Sequence, residues 1–170
     1  MYTLSITTIE TMPNEARLWA YHTASALSAS EIEALKSNLD RFVPEWSAHG
    51  KALAAAYDLK YNQFLLLSVD ERKASASGCS IDSMVRFLQS LQFSMGIQFV
   101  GTPPVCYRKG DSIYCCSRDQ FRKLVREGEI SEDTIVFNET IQTVGEYKKG
   151  SWEGPFSRSW HSKAFPLEKK

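Results

Sequence analysis

The chain has 170 residues, 43% of them hydrophobic and 12% aromatic, enough to fill the core of one ordinary domain or of two small lobes. Twenty basic and twenty acidic side chains cancel to a formal charge of 0, so no global positive field gathers a phosphate backbone, and nucleic acid is not an expected partner. Nowhere do about 18 apolar residues run uninterrupted, which argues against membrane insertion; MYTLSITTIETMPNEARLW lacks the basic-then-apolar pattern of a secretory leader, and the expected location is cytoplasmic.

RLWAYHTA (Arg17 to Ala24) alternates large and small residues with aromatic enrichment and reads as a first strand. A helix follows, its start read from Ser30-Glu31-Ile32-Glu33 as a capping box, with Ile32, Leu35, Leu39, Phe42 and Trp46 on one apolar stripe. Pro44, without an amide proton, should end or kink it near Phe42, and Gly50 closes the segment. ALAAAYDLKY and QFLLLSVD read as two antiparallel strands joined at Asn62-Gln63, the second so continuously apolar that it belongs in the middle of its sheet.

ASASGCSIDSMVRFLQ (Ala74 to Gln89) then opens a second helix, with Ile81, Met84, Val85, Leu88 and Leu91 at helical spacing. With IQFV (Ile97 to Val100) as a fourth strand, the order becomes the βαββαβ of a ferredoxin-like first lobe, residues 1–101. Gly101-Thr102-Pro103-Pro104 is the expected boundary, since consecutive prolines stop regular structure.

The second, smaller lobe, residues 102–170, begins with a hairpin, VCYRKGDSIYCC, turning at Lys109-Gly110-Asp111. A helix follows, capped by Ser117 with Gln120, apolar at Phe121, Leu124 and Val125 and stopped by Gly128. DTIVF adds a strand. The remainder is expected to be irregular and pinned by Trp152, Phe156, Trp160 and Phe165, with the last residues fraying. The fold class is α+β.

The cysteines, Cys79, Cys106, Cys115 and Cys116, match no secreted framework and no CxxC metal pair, and read as reduced thiols. Cys115 and Cys116 are neighbours on a strand and point to opposite faces, one packed and one at the surface. His22, His49 and His161 show neither HxH nor HExxH spacing, so no metal is expected; no motif calls for a cofactor either.

Chemistry concentrates at the start of the second helix. With Ser80 as N-cap, Cys79 precedes the cap as a packing residue, Asp82 lies in the first turn and Met84 completes a hydrophobic staple. Capping alone is the favoured reading. The alternatives are an anion held by outward amides of Ser77, Gly78, Cys79 and Ser80, and a Cys79 nucleophile whose thiol the helix end activates. FLLLSVDER ends in Asp70-Glu71-Arg72 like a Walker B strand, in which the first acid holds magnesium and the second orients water, but no GxxxxGK[ST] cradle accompanies it. His49, in Trp46-Ser47-Ala48-His49-Gly50, would make a Cys/His/Asp set if it met Asp70 and Cys79, since such sets are recognised by geometry.

WSAHG (Trp46 to Gly50), VDE (Val69 to Glu71), ASGCSIDSMVRFLQ (Ala76 to Gln89), GEISEDTIVFN (Gly128 to Asn138) and SWH (Ser159 to His161) span nearly the whole chain. On these strings it resembles a small family of uncharacterised bacterial proteins automatically labelled "ABC transporter ATPase"; the resemblance supplies no activity. Val105 to about Phe156, with its helix and strand ending in DTIV, resembles the bacterial GYF-like domains, although IYCCS stands where their Gly-Pro-Tyr core would be.

The expected function is that of a soluble, non-catalytic binding or adaptor protein for a small anion or a protein partner. The alternative is a nucleotide- or phosphate-ligand-binding protein or enzyme using Asp70, Glu71, Cys79 and His49. A third reading is a thiol sensor centred on Cys79.

Overall fold

The computed structural model describes residues 8–100 and 104–168. The first seven residues, the Gly101-Thr102-Pro103 part of the expected boundary and the terminal Lys169-Lys170 lie outside the described residues.

After a single 3-10 turn at Ile9–Thr11, strand β1 (Arg17–His22) leads into helix α1 (Ala29–Glu45). A two-residue ribbon, β2 (Ser47–Ala48) with β3 (Lys51–Ala52), precedes the hairpin of β4 (Ala55–Lys60) and β5 (Phe64–Val69). Tyr61 and Asn62 both take positive φ in its turn, closed by the Gln63 amide donating to the Lys60 carbonyl. Helix α2 (Gly78–Met95) ends on Gly96, whose φ of 68° is a left-handed stop.

The second half comprises the hairpin β6 (Val105–Lys109) and β7 (Ser112–Cys116), helix α3 (Arg118–Arg126) and strand β8 (Ile135–Phe137). It continues through α4 (Val144–Lys148), β9 (Glu153–Pro155) and α5 (His161–Ala164). The class is α+β, and the described residues form three antiparallel sheets ordered β1-β5-β4, β2-β3 and β7-β6-β8-β9. Among the described residues no helix is long and apolar enough to cross a membrane.

Several local expectations shift by a few residues. The α1 cap is Ser28, not Ser30, because Ser28 has Glu31 three positions on: the Ser28 amide donates to Glu31 Oε2 at 2.7 Å and the Glu31 amide to Ser28 Oγ at 3.3 Å. Pro44 sits inside the last turn instead of ending the helix at Phe42; near a helix end its missing N–H costs one bond, and the buried Trp46 anchors the chain just past that end. IQFV forms no regular strand. Only Val100 pairs, exchanging backbone bonds of 2.7 and 3.0 Å with His22 on the free edge of β1.

β5 explains how the layers assemble. All six of its residues are buried, and period-2 alternation sends Leu65, Leu67 and Val69 to one face and Phe64 and Leu66 to the other. The first set packs with Leu35 and Leu39 of α1 and with Met84, Leu88 and Leu91 of α2. The second packs with Leu18, Ala20 and Ala56 of its own sheet and with Cys106, Phe137, Val144 and Trp152 from beyond the expected boundary. The four-stranded sheet has the same two-sidedness: Cys106 and Phe137 face the first sheet, whereas Val105, Tyr107 and Val136 pack with Phe121 and Val125 of α3 and with Phe156 and Phe165. The two sheets therefore lie face to face, with helices outside. Polar side chains buried in the layer between them are where the site emerges.

Candidate functional site

Strand register builds the centre of that layer. β6 and β7 place Cys106 directly opposite Cys115, their Cα atoms 4.1 Å apart, and the two are joined in a disulfide. This corrects the expectation of four reduced thiols; Cys79, exposed, and Cys116, half-buried, are free. On the opposing sheet, His22 closes β1 on its buried face, 2% exposed. A ring nitrogen of His22 and the two sulfurs all lie within 4.8 Å of one another.

Glu139, just beyond β8, completes the group. Its two oxygens sit 2.9 and 2.8 Å from His22 Nδ1, with the side chains 2% and 3% exposed. Burial pushes the Glu139 carboxyl up, and the imidazole pulls it back in part. Fixing Nδ1 sets the ring orientation and leaves Nε2 as the nitrogen for a further partner. Gln63 closes the fourth side: buried, it donates from Nε2 to the Thr23 carbonyl at 3.0 Å and approaches Cys115 Sγ at 3.7 Å.

Cavities border the group both at Cys115 and Gln63 and at Glu139. The larger, about 730 Å³, is lined by Cys115, Gln63, Tyr61, Arg108 and Tyr114, with Ala24 to Ala26 opposite β7. Another, of about 310 Å³, brings Glu139 together with Arg118, Trp160 and His161. His161 is buried, hydrogen-bonded through Nδ1 to Ser159 Oγ at 2.7 Å. Desolvation, then the positive field of Arg118, hold its imidazole down at about 4.

The residues singled out in the sequence lie elsewhere. Ser77, not Ser80, is the N-cap of α2; Ser80, 1% exposed at the third helical position, returns the box by accepting the Ser77 amide at 2.8 Å. The shift follows from packing, since the buried Trp46 donates from Nε1 to the Ser80 carbonyl at 2.8 Å and holds that turn inside. Cys79 is consequently exposed and within the helix, not packed before its cap, and Asp82 falls outside the first turn.

Asp70, 5% exposed, has both oxygens on Arg72 at 2.9 and 2.8 Å, and that pairing keeps its carboxyl below the usual range. Glu71 accepts the Ala76 amide at 3.1 Å, and His49 sits exposed in the β2–β3 turn with a φ of 51°. Among the described residues no hydrogen bond or ion pair joins His49, Asp70 and Cys79. With the cap reassigned, Ser77→Ala is expected to cost about 1 kcal/mol of stability, read as a lowered denaturation midpoint with unchanged slope.

His22, Cys106, Cys115 and Glu139 were missed as a group. One signal was available: Cys106 and Cys115 are equidistant from the Gly110-Asp111 turn, so the hairpin itself makes them partners. Nothing local connects His22 with Glu139, 117 positions away. No protein-family profile, curated protein or solved structure matches the chain.

Proposed function

We propose that the chain is a non-catalytic binding or adaptor protein that seats an extended segment of a protein partner against β7. The cavity of about 730 Å³ carries this reading, because its lining is suited to recognition. Among the described residues β7 is an edge strand, so one side of its backbone is open to an added strand. Tyr61 and Tyr114 stand about half exposed at 48% and 50%, offering aromatic faces for side chains of such a segment. Arg108 lies 4.8 Å from the Tyr61 ring and pairs with Glu153 at 2.8 Å, which fixes a cation at the rim.

Selection from a displayed library of unstructured peptides tests it. Peptides enriched on the wild type should bind about 5- to 30-fold more weakly to Tyr114→Ala, an aromatic contact worth on the order of 1–2 kcal/mol. Failure to enrich any peptide, or binding indifferent to Tyr114→Ala and Arg108→Ala, would count against the proposal.

The second reading, a phosphate or nucleotide site at the start of α2, is favoured by one observation: a Cβ on Gly78 would meet open space. Against it, the capping box already uses the Ser77 and Ser80 amides and Glu71 takes that of Ala76. Stabilisation by phosphate or ATP that disappears in Gly78→Val, or magnesium-dependent ATP turnover abolished by Glu71→Gln, would select this alternative.

The first lobe is ferredoxin-like on this reading, supported by the antiparallel order β1-β5-β4, by α1 and α2 on one face, and by the single Val100 bridge on the far edge of β1. A second lobe built like the GYF domains is supported by the sequence of hairpin, α3 and β8. A cytoplasmic setting favours the dithiol over the disulfide at Cys106 and Cys115.

A further inference from the structure

We infer that Cys106, Cys115 and His22 form a redox-dependent zinc site: in the dithiol state the two thiolates and His22 Nε2 bind one Zn²⁺, and disulfide formation closes the site. The geometry leads there from several sides. Tetrahedral zinc with Zn–S bonds of about 2.3 Å needs its sulfurs about 3.8 Å apart. Cross-strand partners with Cα atoms 4.1 Å apart, standing on the same face, meet that spacing when their side chains run parallel. Rotation about χ1 is enough to move the sulfurs from bonded contact to ligand spacing.

His22 supplies the third donor within 4.8 Å, from the opposite sheet. Its Nδ1 is held by both Glu139 oxygens, the carboxylate–imidazole arrangement that orients a metal-binding histidine and raises its basicity. Two thiolates and an imidazole suit zinc better than hard oxygen-seeking cations. Three protein donors leave one coordination position, and Cys115 and Gln63 border the large cavity from which water or a ligand group would fill it.

The chemistry balances. Binding replaces one proton on each thiol, released to solvent, by two zinc–sulfur bonds, and adds one zinc–nitrogen bond. A small-molecule disulfide then takes two electrons from the thiolate pair, so that the Cys106–Cys115 bond forms as its own S–S bond breaks; the two small-molecule thiolates produced take two protons from solvent, and the zinc ion, deprived of its sulfur ligands, is released. Cys115 also lines the cavity of the partner seat proposed above, but the metal takes its thiolate whereas an added strand pairs with the β7 backbone, so the two readings are tested independently.

The test uses the full chain, reduced and freed of metal, titrated anaerobically with Co²⁺ and then Zn²⁺. One equivalent of Co²⁺ should give a thiolate-to-metal charge-transfer absorption that Zn²⁺ removes, and protein oxidised beforehand should give none. Zn²⁺ should shield Cys106 and Cys115 from alkylation, mapped by mass spectrometry, while Cys79 and Cys116 still react. Glu139→Gln is expected to weaken Zn²⁺ binding by about 10–100-fold through its hold on His22, and His22→Gln by at least as much. Reduced wild type without charge transfer, or Zn²⁺ protecting Cys79 or Cys116 in place of the cross-strand pair, overturns the inference. Because those two readouts need only the wild type, they decide the matter even where a variant fails to fold, and peptide selection at β7 is scored separately.

Discussion

Replacing Phe64 with alanine is expected to remove about 3–5 kcal/mol of stability, a large share of what holds a domain of this size folded. Phe64 is fully buried at the start of the central strand β5. Its ring centroid lies 4.7 Å from Phe137, 5.1 Å from Trp152 in an edge-on contact, and 6.3 Å from His22. It therefore stands where the two sheets meet, and truncation opens a void that neither sheet can fill without leaving the other. Urea denaturation followed by far-ultraviolet dichroism and by tryptophan fluorescence measures the loss. Phe64→Leu, which keeps most of the volume, should lose less than half as much. A Phe64→Ala protein within about 1 kcal/mol of the wild type would show that the layer between the sheets is loosely packed, contrary to the full burial of this ring.

The second large effect is a loss of stability in mild acid through His161. An imidazole held at about 4 when folded and at 6.5 when unfolded takes up its proton first in the unfolded chain as the pH falls. The stability it contributes is present above pH 6.5, declines as the pH drops toward 4, and is lost below that, a total of about 3 kcal/mol. Arg118, Ser159, Trp160 and Phe121 surround the ring, and none offers a carboxylate that would favour the charged form. Glu139, raised by burial, works in the opposite sense, since the folded chain takes up that proton at a higher pH than the unfolded chain does. The difference between the wild type and His161→Gln isolates the histidine: urea midpoints at pH 7 and pH 4 should diverge more in the wild type. Parallel pH profiles would remove His161 as the source of the acid sensitivity.

Elements written in local chemistry were legible. The alternation in RLWAYH, the turn at Gly110-Asp111, the Ser117–Gln120 box and the α2 stripe of Ile81, Met84, Leu88 and Leu91 each need only neighbours within a turn or two, and each appears where expected, whereas Val85, expected on that stripe, is exposed. Where several serines compete, as with Ser28 and Ser30 or Ser77 and Ser80, propensity does not choose. The choice fell to the Glu31 carboxylate in one case and to the Trp46 indole on the Ser80 carbonyl in the other. The Cys79 thiol that drew notice in the sequence is exposed on a helix, whereas the cluster of interest is assembled from strand ends and a loop.

QFLLLSVD shows the division most plainly. Its nearly continuous apolar run, interrupted only at Ser68, determines by itself that this strand is covered on both faces, because leaving either in water would forgo the burial that stabilises it. What covers each face is decided only in three dimensions. Hydrophobic burial is non-directional and carries no address, so helices taking Leu65 and Leu67 and a second sheet taking Phe64 and Leu66 result from which surfaces fit. Once the sheets close on each other, buried polar groups gain by pairing across the layer, and His22 lies against Glu139 and beside the Cys106–Cys115 pair, whereas Ser68 Oγ and the Trp152 indole nitrogen are buried with no hydrogen-bond partner among the described residues.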